Sequence, residues 1–278
     1  MCNATQFMKE KILYISQEIS PYLPSSELSD LGRNIPQYMH EKGYEVRTFM
    51  PRYGMINERR NQLHEVIRLS GINVVIDDSD HPLIIKVASL MPSRMQVYFI
   101  DSEDYFNHVG KTKETETSKH DNDERTIFFT RGVLETVKRL RWDPKLIQCA
   151  GWITALVPLY VRNKMAGDPS FREAKVIYAL LDDEFEGTLD ARFVEKILGD
   201  GFHDDILSEM GNGPVDYKTL SKFAINQADA VIQIQQNTDA ELVEYAVASG
   251  KPFLSFPGDD NLHTAIAEFY GTLMDSGK

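Results

Sequence analysis

From residue 125 to residue 235 the chain alternates short apolar runs with stretches of helical length, and no other pattern in it restricts the fold so tightly. Arg125–Arg141 predicts a helix, Lys145–Cys149 a strand, Ile153–Lys164 a helix and Lys175–Leu181 a strand. After an acidic, glycine-containing excursion through Gly213, Tyr217–Gln227 predicts a helix that leads into the strand Ala230–Gln235. These strands are apolar on both sides of the pleat, so both sheet faces need a cover. The expected fold is α/β: a Rossmann-like, doubly wound, mostly parallel sheet with helices on both faces.

The first hundred residues extend the pattern. Lys11–Ser16 (KILYIS) is a β-branched and aromatic strand, followed by a loop with Pro21 and Pro24, a helix from Glu27 to Lys42 ending at Gly43, and a strand at Val46–Met50. That is a βαβ unit. Gly71–Ile76, Leu83–Ala88 and Gln96–Ile100 read as strands at hairpin spacing. Residues 111–124 (KTKETETSKHDNDE) hold no apolar side chain and predict an exposed, mobile loop. Residues 256–278 predict a C-terminal helix or tail, and 1–278 is expected to form one domain.

The formal charge is −12 and unevenly spread. Residues 181–216 carry eleven acidic side chains against Arg192 and Lys196, a local balance of −9. A surface of this sign repels phosphate backbones and anionic lipid, so neither nucleic acid nor membrane is expected as a partner. No apolar run approaches the ~18 residues of a membrane span, and MCNATQFMKEKILYIS is not a signal peptide; a cytoplasmic address is expected. Cys2 and Cys149 make no disulfide framework, and the histidines show no metal-ligand spacing, so neither metal nor cofactor is expected.

Several segments resemble, in order and spacing, the N-terminal catalytic domain of glycogen and starch synthases, glycosyltransferase family 5, whose members extend α-1,4-glucan from a nucleotide-activated glucose. They are SQEISPY at 16–22, Asp30, Pro36, EKGYEVRTFMPRYG at 41–54, VYFIDSEDYF at 97–106, ERTIFFTRGVLETVKRLRWDPKLIQCAGWITALVPLY at 124–160 and FAINQADAV at 223–231. Together they cover roughly residues 9–255. The resemblance implies one half of a GT-B glycosyltransferase, the half that faces acceptor glucan.

The departures fall where that family keeps its chemistry. Its Lys-x-Gly-Gly-Leu loop, in which the lysine faces donor phosphate, stands here as Pro24, Ser25, Ser26, Glu27 and Leu28. Proline brings neither charge nor N–H, and Glu27 brings the wrong sign. The His-Asp-Trp-His-Thr turn has become Ala150, Gly151, Trp152, Ile153 and Thr154, and the Thr-Ile-His-Asn turn Ala179, Leu180, Leu181 and Asp182. The serine of a later Val-Ser-Pro stretch is absent, the strand running on as QIQQNTD at 233–239. The chain also stops near the hinge to that family's second domain, so impaired or silent glucosyl transfer is expected of it alone.

The resemblance marks Glu18, Tyr22 and Asp30 as ligand-binding candidates near the sugar site, with Asp30 alternatively only tying down its helix. Arg52 of the PRYG turn is a further candidate. Trp152 and Tyr105 offer ring faces to a sugar, although tryptophan at a strand-to-helix turn is more often core. Asp182 and Asp183, with Glu184 and Glu186, follow a central strand where open sheets bind ligands; they are suited to acid–base work or a cation, or simply to solvated helix complementing. The partners implied are an α-glucan or nucleotide sugar, and a donor-domain protein or a second copy. The open alternatives are a transferase subunit completed by a separate chain and a non-catalytic glucan- or protein-binding regulator.

Overall fold

A computed structural model describes residues 9–107, 121–211 and 213–275, and among them ten strands and eight α-helices are formed. The strands are β1 (Lys11–Ser16), β2 (Glu45–Pro51), β3 (His64–Glu65), β4 (Ile72–Ile76), β5 (Ser79–Leu90), β6 (Met95–Asp101), β7 (Leu146–Ala150), β8 (Lys175–Leu180), β9 (Ala230–Gln233) and β10 (Phe253–Leu254). The helices are α1 (Glu27–Glu41), α2 (Asn122–Arg139), α3 (Val157–Arg162), α4 (Phe193–Leu198), α5 (Asp204–Leu207), α6 (Tyr217–Gln227), α7 (Ala240–Ala248) and α8 (Leu262–Asp275).

The sheet order is β10-β9-β8-β7-β1-β2-β6-β5-β3, with β4 paired to β5. The seven strands from β10 to β6 run parallel, whereas β5 is antiparallel to β6, and β3 and β4 to β5. The core sits on both faces of this sheet, as the apolar strands require: Ile12, Leu13, Ile15, Ile147, Cys149, Val176 and Ile177 are wholly buried. On one side α8 packs on α1, and Tyr270 of α8 donates a hydrogen bond to Gln148 in β7. Helices α2, α3, α6 and α7 pack successively against one another as a second layer.

Several local expectations need correction. The stretch 153–164 is not one helix: a 3-10 turn at Trp152–Thr154 precedes α3, because Pro158 lacks the N–H an unbroken helix needs and instead occupies the first turn of α3. The strand after 230 does not run on to 239. It ends at Gln233, and Asp239 caps α7 by accepting from Leu242 N at 3.1 Å. Of the loop expected at 111–124, residues 111–120 lie outside the described residues, but Asn122–Glu124 form the first turn of α2 with Asn122 and Asp123 buried. Asp123 tolerates this because Lys196 of α4 reaches it at 2.6 Å and Glu124 at 2.6 Å.

Candidate functional site

The strand order reverses direction between β1 and β7, since β2 lies on one side of β1 and β8 to β10 continue beyond β7. In an open parallel sheet, the carboxyl ends of the strands flanking such a switch point form the ligand crevice. The loops that follow β1, β7 and β8 therefore define the candidate site, and they carry most of the residues singled out in the sequence.

After β1, Gln17 N continues the ladder to Ala150 O at 3.0 Å, and the chain then folds back over α1. The approach is so close that a Cβ on Gly32 would stand 2.0 Å from the carbonyl oxygen of Glu18. The next segment caps α1: Ser29 N donates to Ser26 Oγ at 3.0 Å, and Ser26 N donates to Ser29 Oγ at 2.9 Å. Ser26 Oγ in turn donates to Glu18 Oε2 at 2.9 Å, and Ser25 Oγ to Asp30 Oδ2 at 2.7 Å. Glu27 is exposed in the same first turn. The positive end of a fifteen-residue helix is thus surrounded by the chain's own carboxylates Glu18, Glu27 and Asp30. Asp30 does tie down its helix start, and it remains half-buried at the crevice rim.

At the switch point Gly151 has φ +101°, a conformation that favours glycine, and a Cβ there would fall 2.8 Å from Gln17 Cβ and 3.3 Å from Asp183 Oδ2. Asp183 plugs the space. Its Oδ2 accepts from Trp152 N at 2.7 Å and its Oδ1 from Tyr217 O–H at 2.9 Å. Burial pushes the Asp183 carboxyl up to about 6, against the pull of these two hydrogen bonds. Burial alternates after β8: Asp182, Glu184 and Glu186 are exposed, while Asp183 and Phe185 are buried. The four carboxylates do not converge, and among the described residues no three His, Cys, Asp or Glu side chains are grouped to hold a metal ion.

The aromatic candidates present no open ring face. Trp152 is wholly buried with its ring edge-on to Phe185 at 5.2 Å. Tyr105 is 3% exposed, packs on Phe128 at 5.2 Å, and donates to Glu124 Oε2 at 2.8 Å. Tyr22 packs edge-on to Phe99 at 4.9 Å. Arg52 is committed to neighbours: it donates to Asn107 Oδ1 at 2.9 Å and pairs with Glu58, which also takes Lys86 at 2.7 Å, and Lys86 reaches Asp101 at 2.7 Å. Glu18, Asp30 and Asp182 therefore edge the crevice, Asp183 and Trp152 close its floor, and Arg52 and Tyr105 belong to neighbouring buried networks. Gln17, Gly151 and Tyr217 also shape the floor, and sequence reasoning assigned them no such part. Tyr217 lies 34 residues from the carboxylate it holds, so no local pattern marks it.

The family model described as the starch synthase catalytic domain matches residues 11–251. A glycogen synthase of Chlorobaculum tepidum is 34% identical over 265 residues, 95% of this chain and 52% of that protein. A glycogen synthase of Chlorobium phaeobacteroides is 37% identical over 190 residues, 68% of this chain and 39% of that protein. The chain thus spans about half the length, or less, of the curated relatives it matches. Among solved structures, the catalytic domain of starch synthase IV from Arabidopsis thaliana, bound to ADP and acarbose, superposes with a TM-score of 0.72 at 17% identity, covering 90% of this chain and 51% of that one.

Proposed function

This chain belongs to the glycogen and starch synthase family, and from that premise we propose that it is a glucan-recognising member whose described crevice does not by itself transfer glucose. The observation that carries the reading is the electrostatics of the α1 N-terminus. Glucosyl transfer from a nucleotide sugar requires stabilisation of a departing diphosphate, which calls for cations or free N–H donors at that position. Here the capping box already engages the Ser26 and Ser29 N–H groups at the helix start, and Glu18, Glu27 and Asp30 surround it with negative charge. A diphosphate entering would displace hydrogen bonds already made and meet carboxylates at short range.

The second support is the floor. Leu181 stands where the resembling turn has a histidine, and Tyr217 donates to Leu181 O at 3.1 Å as well as to Asp183. Both oxygens of Asp183 are engaged, so its carboxyl is a structural plug rather than a free base. The glucan part of the reading comes from family membership and from the acarbose carried by the structural neighbour.

The test is to incubate the purified chain with labelled ADP-glucose or UDP-glucose and glycogen and to count label in polymer. No incorporation above a protein-free blank, with glycogen still co-sedimenting the chain, is the expected result. Incorporation above the blank refutes the reading.

A further inference from the structure

At the amino ends of the parallel strands, one strand length or roughly 17 Å from the crevice, the charge of the molecule changes sign. Residues 138–175 carry eight basic side chains against Asp143, Asp168 and Glu173, a local balance of +5, while the rest of the chain carries −17. This segment borders a cleft of about 490 Å3 beside the starts of β7 and β8, which Glu10, Asp229 and the end of α8 complete. A cleft of that size suits a small ligand.

Four cations line it. Lys145 directly precedes β7, Lys175 opens β8, Arg162 ends α3, and Arg172 lies in the turn before β8. Their carboxylate partners are fewer. Glu173 holds Lys145, and Asp229 serves both Arg162 at 2.7 Å and Lys175 at 3.9 Å while accepting from Val176 N at 2.9 Å. Arg172 is left exposed, without an ion pair to any described residue. Neighbouring groups register the excess of positive charge. Lys145, with Arg172 acting the same way, holds the Glu173 carboxyl below its usual range, and the Lys251 ammonium is pushed down by burial and then by the charge of Arg162. The floor is apolar, with Val161, Phe171 and Leu273 all buried.

Two guanidinium and two ammonium groups over an apolar floor fit a phosphate group. The planar fork of arginine matches two phosphate oxygens, and the low dielectric of the floor strengthens the attraction. A cationic ligand would meet like charge. A nucleic acid extending beyond the cleft would run onto the acidic remainder of the surface. We infer that this cleft binds the phosphate group of a small ligand, gripped by Arg172 and Lys175 and backed by Arg162 and Lys145. The two sources of such a group are free phosphate and an organic phosphate ester, whose body would lie on Phe171 and Leu273. A ligand bound there sits at the far end of the sheet and does not compete for the crevice.

The experiment is calorimetric titration of the full chain at low ionic strength with inorganic phosphate and with phenyl phosphate. The variants are Arg172→Gln, Lys175→Gln and the double variant, each checked for an unchanged circular dichroism spectrum. Binding of at least one probe by the unaltered chain, weakened roughly tenfold in the double variant, is expected from the loss of two charge-assisted hydrogen bonds. Tighter binding of phenyl phosphate identifies an ester as the source, and equal or weaker binding identifies free phosphate; either ranking supports the site. Glu18→Gln removes a carboxylate from the crevice and should leave the affinity unchanged. Failure of both probes to bind, undiminished binding by the double variant, or a gain in affinity in Glu18→Gln would each overturn the inference. Label incorporation into glycogen is a separate readout, and its outcome bears on the silent reading alone.

Discussion

Replacing Asp183 by Asn isolates the cost of a buried carboxylate. Asp183 is 9% exposed, accepts from Trp152 N and Tyr217 O–H, and has its pKa pushed up to about 6 from 3.8 by burial. The folded state therefore holds the Asp183 proton more tightly than the unfolded state does. This group's contribution to stability is absent well above pH 6, grows as the pH falls through 6, and is complete below 3.8, where it reaches ~3 kcal/mol. Between pH 7 and pH 4.5 the same relation gives about 2 kcal/mol of gain. Other carboxylates act in the opposite direction; Glu241, held at about 2 by Lys218 and Lys222, loses its pairing in acid. The quantity to follow is thus the difference between Asp183→Asn and the unaltered chain in urea unfolding across one pH series. The amide preserves the fold, because its oxygen accepts from Trp152 N and Tyr217 still donates to Leu181 O while accepting from the new N–H. The unaltered chain should gain about 2 kcal/mol on the variant between pH 7 and pH 4.5. Parallel curves would refute the assignment of a raised pKa to this site.

Three further substitutions test other parts of the structure. Ser26→Ala removes the cap of α1 and the hydrogen bond from Ser26 Oγ to Glu18, and should cost about 1 kcal/mol, seen as a lower thermal midpoint; an unchanged midpoint contradicts the cap. Gly32→Ala places a methyl 2.0 Å from Glu18 O and should cost about 3 kcal/mol by forcing the loop after β1 off α1, measurable in the same unfolding assay. Lys196→Met strands Asp123, which is 1% exposed, and should cost about 3 kcal/mol at pH 7 and less at pH 4, where Asp123 takes up a proton; a loss independent of pH argues against the ion pair.

The parallel strands and α6 were legible because their sequences state their burial: Lys175–Leu180 is apolar on both sides, and Tyr217–Gln227 starts behind a capping Asp216. The two-residue strands β3 and β10 carry too few side chains for any period to show. Helices α4 and α5 are four to six residues long inside an acidic segment, and their folding depends on partners such as Asp123, 73 residues from Lys196. At the site, Glu18 and Asp30 were located by resemblance, but side-chain direction was not readable. Asp183 and Trp152 turn inward through contacts with each other and with Tyr217 and Phe185, and the sequence alone does not say which of four adjacent carboxylates will do so.

The sheet's ladder is built from backbone groups of residues such as Ile12–Ser16 and Leu146–Ala150, whereas Glu18, Ser26, Leu181 and Asp182 hang from loops beyond the strand ends. Durability and chemistry therefore reside in different residues, and they can drift at different speeds. A lineage of such chains can exchange reactive side chains at the loops while remaining well above the threshold for folding, and it can do so without leaving a trace in the sheet of apolar strands beneath. Two members equally resistant to heat can then differ completely in turnover, so melting temperature is a poor guide to which of them still works.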